Sequence, residues 1–157
     1  MKVIYCHHAH RKKSNPPSQN DDITEIGEKD ANIVSELLKE LKTENNFNLK
    51  AIYTSEFFRC TKTTEIINTH TKLPVFIEPR LNEHKSIPNE EWVDTQNRVI
   101  EFLNELTSSY GDNDIVICVT SGVNIVPFIC KQFNIPPSNN LPFINAPSCS
   151  PIIFNYK

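Results

Sequence analysis

Residues 114 to 119, DIVICV, form a continuous apolar run behind their opening aspartate. A strand with no polar face must be covered on both sides, which is the pattern of a parallel sheet sandwiched between helices. The rest of the chain alternates to match. Met1 to Cys6 reads as a short buried strand, ended by a polar loop over residues 10 to 22 that holds Pro16 and Pro17. From Thr24, a predicted N-cap, Ile33, Val34, Leu37, Leu38 and Leu41 recur at helical spacing through Lys42. Leu49 to Tyr53 is a second strand, Ser55 is expected to cap a helix running to about Asn68, and Pro74 to Glu78 makes a third strand. After a loop around Pro88, the spacing of Trp92, Val99, Ile100, Leu103 and Leu106 defines a long helix, with Glu90 and Glu91 near its positive end. A helix from Gly122 to Phe133 follows the apolar strand, and the tail offers a strand near Phe143 and a clearer one at Pro151 to Tyr156. The expected fold class is α/β, a three-layer α/β/α sandwich around a mainly parallel sheet.

A chain of 157 residues suits one domain with a real core. No apolar run approaches the roughly 18 residues of a membrane span, and Met1 to Cys6 is too short for a signal-peptide core. A cytoplasmic protein with no membrane partner is expected. The net charge of -3 argues against a nucleic-acid partner, although Arg11, Lys12 and Lys13 make one local basic cluster. Five cysteines, scattered and without a CxxC pair, read as reduced core residues.

In open α/β sheets ligands bind beyond the carboxyl ends of the strands. That rule selects residues 7 to 13, 54 to 59, 82 to 84 and 120 to 124. The first of these lies in IYCHHAHRKK, residues 4 to 13, which packs three of the five histidines into four positions. His8 and His10 have an HxH spacing that a metal site would use. It would need further ligands, and His70 and His84 lie in no supporting DxH or HxxxH pattern, so no metal and no cofactor is expected. In TSEFFRCTKTTEII, residues 54 to 67, Arg59 falls in the first turns of a helix, where it can grip a phosphate with two parallel hydrogen bonds. Glu83, in RLNEH at residues 80 to 84, stands where it can donate a proton to a leaving oxygen. A histidine nucleophile, an arginine clamp and a carboxylic acid together describe phosphoryl transfer through a covalent intermediate.

The ordered set resembles the histidine phosphatase superfamily, the phosphoglycerate mutase-like fold. The family's opening strand ends in Arg-His-Gly where this chain has His7, His8 and Ala9, and its "LTE.G..QA" helix start resembles ITEIGEKDA, residues 23 to 31. Its "YSSPL.RA.QTAE" resembles YTSEFFRCTKTTE, residues 53 to 65, and puts Arg59 on the second family arginine. RLNEH is close to the mutase branch's motif around its acidic residue, and residues 90 to 106 resemble the family's long helix. The resemblance implies one such domain over residues 1–157, with His8 as nucleophile, Glu83 as acid, and Arg59, His7, Ser121 and Gly122 around the phosphate.

Two positions depart from the pattern. The family's first arginine is His7 here, and its second histidine, from a "SHGG" type segment, falls on Ser121 of VTSGVNI, residues 119 to 125. Losing one preorganised donor typically costs about 100- to 1,000-fold in turnover, so two losses are expected to cost on the order of 10⁴-fold. His7 replaces an arginine only when protonated, which predicts activity that rises toward mildly acidic pH until His8 itself protonates. His10, Arg11 and His84 are candidate auxiliaries for the missing groups. Only eight residues separate Glu83 from Trp92, too few for a lid, so an open site and a phosphatase rather than a mutase are expected. The substrate would be a phosphorylated small molecule or a phosphoprotein. The alternative is a catalytically inactive member of the same fold that binds phosphate or a phosphoprotein for regulation.

Overall fold

The computed structural model describes residues 1–16, 18–44, 47–136 and 146–156. Five strands, β1 (Lys2–His7), β2 (Asn48–Thr54), β3 (Val75–Ile77), β4 (Asp114–Thr120) and β5 (Pro151–Asn155), form one sheet in the order β3-β2-β4-β1-β5. The first four are parallel, and β5 runs antiparallel along β1. The helices are α1 (Glu25–Thr43), α2 (Phe58–Ile67), α3 (Trp92–Thr107) and α4 (Ile125–Gln132).

Strand pleating splits the core into two. Ile4 and Cys6 of β1, with Ile115, Ile117 and Val119 of β4, pack against Ala31, Val34 and Leu38 of α1 and Cys60 and Ile67 of α2. Val3 and Tyr5, with Val116 and Cys118, face the other way onto Val99, Phe102 and Leu103 of α3 and Phe128 of α4. The apolar run of β4 is thus buried on both faces, which gives the three layers expected of it.

Elements begin where their caps allow. Thr24 caps α1 through its side-chain oxygen, which accepts from the Gly27 amide at 3.1 Å. The absent Cβ at Gly27 is what lets α1 approach the strand end, since a methyl there would lie 2.6 Å from the His10 carbonyl oxygen. Ser55, expected to cap α2, does not. The N-cap is Phe57, and the Ser55 hydroxyl instead donates to Asn82 Oδ1 at 2.7 Å and accepts from the Phe57 amide at 3.3 Å. The helix expected from Gly122 opens as a 3-10 turn at Gly122–Asn124 before α4, whose Pro127 falls in the first turn, where no amide is needed. The strand expected near Phe143 lies outside the described residues. None of the described helices is long and apolar enough to cross a membrane.

Candidate active site

Parallel strands bring their carboxyl ends to one edge. His7 pairs with Thr120 and Thr54 with Val119, so the chain leaves β1, β2 and β4 side by side. At the end of β1 the His8 amide still donates to the Thr120 carbonyl at 2.9 Å, and the next amide, Ala9, donates to Thr63 Oγ1 at 2.9 Å. The same Thr63 hydroxyl donates to the Arg59 carbonyl at 2.6 Å, one turn back in α2. One buried threonine therefore ties the loop after β1 to the helix turn that carries Arg59.

His8 is buried, and its ring orientation is set from both ends. Nδ1 lies 2.7 Å from the Ala9 carbonyl oxygen, an acceptor only, so Nδ1 carries the proton. Nε2 is left with its lone pair, which accepts from Arg59 Nε at 3.1 Å. Burial first, then the neighbouring His7, push the His8 pKa down to about 3. The imidazole is neutral at ordinary pH. Arg59 is buried too, and its guanidinium lies over the Phe57 ring, 4.7 Å from the centroid. Its Nη2 meets Glu83 Oε2 at 2.5 Å and its Nη1 donates to the Ser18 carbonyl at 3.3 Å. Three groups from three strand ends, His8, Arg59 and Glu83, thus form one contact chain.

Glu83 reaches this chain because its backbone is held on both sides. Asn82 accepts from Ser55 and from the Glu56 amide, and Asn124 donates to the Leu81 carbonyl at 3.1 Å and the Asn82 carbonyl at 2.8 Å. From α3, Arg98 reaches back to the Arg80 carbonyl and, at 3.4 Å, the Glu83 carbonyl, while pairing with the buried Glu90 at 2.6 Å. Glu90 in turn accepts from the Lys85 amide at 2.7 Å. Asn82 and Asn124 fall within the stretches selected from the strand ends, though without a role, whereas Thr63, Glu90 and Arg98 did not stand out as site-forming in the sequence.

The other expected residues are placed less evenly. His7 packs edge-on against His8, ring centroids 4.4 Å apart, with its Nδ1 2.6 Å from the Ala146 carbonyl. Burial lowers its pKa, an effect larger than the opposing backbone hydrogen bond. His7 is therefore neutral near neutral pH, and any gain from its protonation moves to lower pH than the sequence suggests. Ser121 is buried, with a hydroxyl that has no hydrogen-bond partner among the described residues. A cavity of about 280 Å³ over His8 is lined by Gly122, not Ser121, together with His7, His10, Arg11 and Lys13. Glu83 lines it as well. His10 is exposed and bonded to Thr24 at 3.1 Å. Arg11 forms an ion pair with the buried Asp21 and reaches the cavity wall. His84 stacks on Trp92 at 3.9 Å and bonds to Thr95 at 2.8 Å, facing away from His8 toward α3.

The low His8 pKa has a consequence for stability. An unfolded histidine takes up a proton near pH 6.5, whereas folded His8 refuses one until about pH 3. Across that window the unfolded chain binds more protons, so stability declines as the pH falls below about 6.5. Denaturation followed from pH 7 to pH 4 is expected to show this decline, with a shallower slope in His8→Gln. Equal slopes in the two proteins would mean that His8 is accessible to solvent protons.

Residues 9–86 match the family profile of the histidine phosphatase superfamily (branch 1), a span that holds Arg59 and Glu83. Among solved structures, a mycobacterial glucosyl-3-phosphoglycerate phosphatase complexed with VO3 superimposes with a TM-score of 0.76 at 16% identity, covering 97% of this chain and 90% of that one. Bacillus stearothermophilus YhfR gives 0.75 at 20% identity, covering 97% and 89%. The protein histidine phosphatase SixA complexed with tungstate gives 0.61 at 16% identity, covering 84% and 76%. No curated protein sequence matches significantly. The chain thus matches the histidine phosphatase superfamily (branch 1) over residues 9–86 and shares the fold of these solved structures over most of its length.

Proposed function

We propose that the chain is a phosphomonoester phosphatase that works through a phosphohistidine at His8, with residues 1–157 acting as one catalytic domain. The observation that carries this reading is the Nε2 lone pair of a neutral, buried His8 held against the Arg59 guanidinium. Same-fold phosphatases of glucosyl-3-phosphoglycerate and of protein phosphohistidine support it.

In the first step Nε2 attacks phosphorus, an N–P bond forms and the P–O bond to the leaving group breaks. Glu83 gives its proton to the departing oxygen. Arg59 carries the charge that accumulates on the phosphoryl oxygens, and its fixed position means no reorganisation is needed then. In the second step water attacks phosphorus, Glu83 takes a proton from it, the N–P bond breaks and inorganic phosphate leaves. The Nδ1–H bond to the Ala9 carbonyl persists throughout and stabilises the charge on the phosphorylated ring. Neutral His7 and buried Ser121 add no permanent charge, so turnover should be slow. The open cavity fits a phosphorylated small molecule or a phosphoprotein.

Those same two positions favour the second reading, a phosphate binder without turnover. Brief incubation with p-nitrophenyl phosphate followed by alkaline quenching separates the two. The expected result is an acid-labile, alkali-stable phosphoprotein that is absent in His8→Ala. An intact protein that hydrolyses nothing and forms no adduct would leave the binding role.

A further inference from the structure

The sheet ends at β3, and this edge is only half covered. α2 packs over β2 and β4, and Val75 and Ile77 of β3 stay 45% and 62% exposed. Phe76 between them turns to the other face and stacks on Tyr53, ring centroids 5.2 Å apart. Between the bare edge and α2 lies a cavity of about 320 Å³. The helix contributes Thr61, Thr64, Glu65 and Asn68, spaced as one face, and the strand contributes Val75 and Ile77. Thr54 and Lys72 complete the lining, and none of these residues lines the cavity over His8. From this geometry we infer a second ligand site, for a small carboxylic acid with an apolar body, branched or aromatic.

The polar groups of the walls are committed elsewhere, with two exceptions. The Thr54 hydroxyl donates to the Ser55 carbonyl at 3.1 Å, the Thr61 hydroxyl donates to the Phe58 carbonyl at 3.0 Å, and Glu65 faces Lys62 at 3.6 Å. Asn68 donates from Nδ2 to the Leu73 carbonyl at 2.9 Å, and its Oδ1 accepts from the Leu73 amide at 2.8 Å and the Thr71 hydroxyl at 2.7 Å. The exceptions are Thr64 and Lys72. Thr64 is 2% exposed, and its hydroxyl has no hydrogen-bond partner among the described residues, a rare condition that an entering oxygen acceptor relieves. The Lys72 ammonium has no carboxylate partner among the described residues, so the cavity carries one uncompensated positive charge. One cation and one unused hydroxyl beside a wall of bare methyl groups match a carboxylate joined to an apolar body.

Lys72 is fixed at the cavity rather than left to swing. Its backbone has φ of 50°, in the left-handed region, for which lysine has no intrinsic preference. The Asn68 side chain bonds the residue on each side of it, Thr71 and Leu73, and the Lys72 amide itself donates to the Asn68 carbonyl at 3.0 Å. Strain of this kind persists only where surrounding structure enforces it. The shape of the edge also decides the kind of occupant. β3 is three residues long and lies between Pro74 and Pro79, and so short an edge flanked by prolines is a poor template for another strand. The volume instead falls at the lower end of the range for small-molecule sites, roughly 300–1,000 Å³.

Three probes divide the recognition: 3-phenylpropanoate carries both halves, 3-phenylpropanamide lacks the charge and propanoate lacks the ring. Titrated into methyl-labelled protein and followed by NMR, 3-phenylpropanoate should shift the Val75 and Ile77 methyl resonances saturably. Its Kd should lie about tenfold below that of either other compound, the scale of one charge-assisted hydrogen bond or one buried ring. Lys72→Met should bring acid and amide to the same Kd, and added salt should narrow the gap between them. Thr64→Val, nearly isosteric, should raise Tm by removing the unpartnered hydroxyl and should weaken binding of the acid. Saturating inorganic phosphate should leave the Kd unchanged. No saturable shift of these methyls, equal affinity for acid and amide, or an affinity that neither Lys72→Met nor Thr64→Val moves would overturn the site. Displacement by phosphate would place the acid in the cleft over His8 and overturn it too. A dimer in sedimentation velocity that Ile77→Lys converts to a monomer would overturn it in favour of a second copy of the chain on this edge.

Discussion

Arg59→Ala is expected to lower turnover by roughly 10³-fold, and Arg59→Lys to recover little of it. The guanidinium uses Nε on His8, Nη1 on the Ser18 carbonyl and Nη2 on Glu83, three directions from one planar fork. An ammonium is a single point of charge and cannot hold all three, so charge alone does not restore the geometry. The magnitude follows from the loss of a preorganised cation where negative charge develops. Steady-state hydrolysis of p-nitrophenyl phosphate by the three proteins is the measurement. A lysine variant that matched the original would show that Arg59 supplies only charge.

How far the site could be read without coordinates depended on the range over which each residue acts. His8 follows a strand end directly and Arg59 and Glu83 lie in the connections after β2 and β3, and strand ends are legible because an apolar run such as residues 114 to 119 ends visibly. The α1 helix was legible from its periodicity and from Thr24, since both are local. Ser55 was misread because the same residue type caps helices and braces loops, and only the presence of Asn82 beside it decides between them. Asn124 bonds to residues some forty positions earlier, and Thr63 joins a strand end to a helix more than fifty positions later. Nothing local announces such a bond. Ser121 was matched to a family position by order along the chain, but its burial and its absence from the cavity wall depend on how the 3-10 turn rotates after β4.

The second large effect lies away from the reacting atoms. Arg98→Ala should destabilise the fold by about 3–5 kcal/mol, because it leaves the Glu90 carboxylate buried without its cation. For a chain of this length that is a fall of about 10 °C in Tm. The double variant Glu90→Gln with Arg98→Met removes the stranded charge and should recover part of that loss. Catalysis gives a readout that stability does not. Arg98 holds the Arg80 and Glu83 carbonyls, so its removal lets Glu83, the proposed proton donor, drift. A proton donor matters most when the leaving oxygen is a poor leaving group. Hydrolysis of an alkyl phosphate should therefore fall further than that of p-nitrophenyl phosphate, and the difference should vanish when Glu83 is already glutamine. Equal losses on both substrates would assign Arg98 to folding alone.

The amide of Cys149 donates to the His7 carbonyl at 3.1 Å and the His8 carbonyl at 3.4 Å, from a residue held at φ 53°. Close by, the Ala146 carbonyl sets the tautomer of His7. His7 and His8 thus depend for their setting on residues about 140 positions later. A nascent chain arrested on the ribosome before residue 146 emerges would hold β1 through β4 and Arg59, yet the loop of its proposed nucleophile would lack these bonds. On the proposed mechanism, competence to accept a phosphoryl group should arrive only once residues 146 to 149 have emerged, with no partially active precursor.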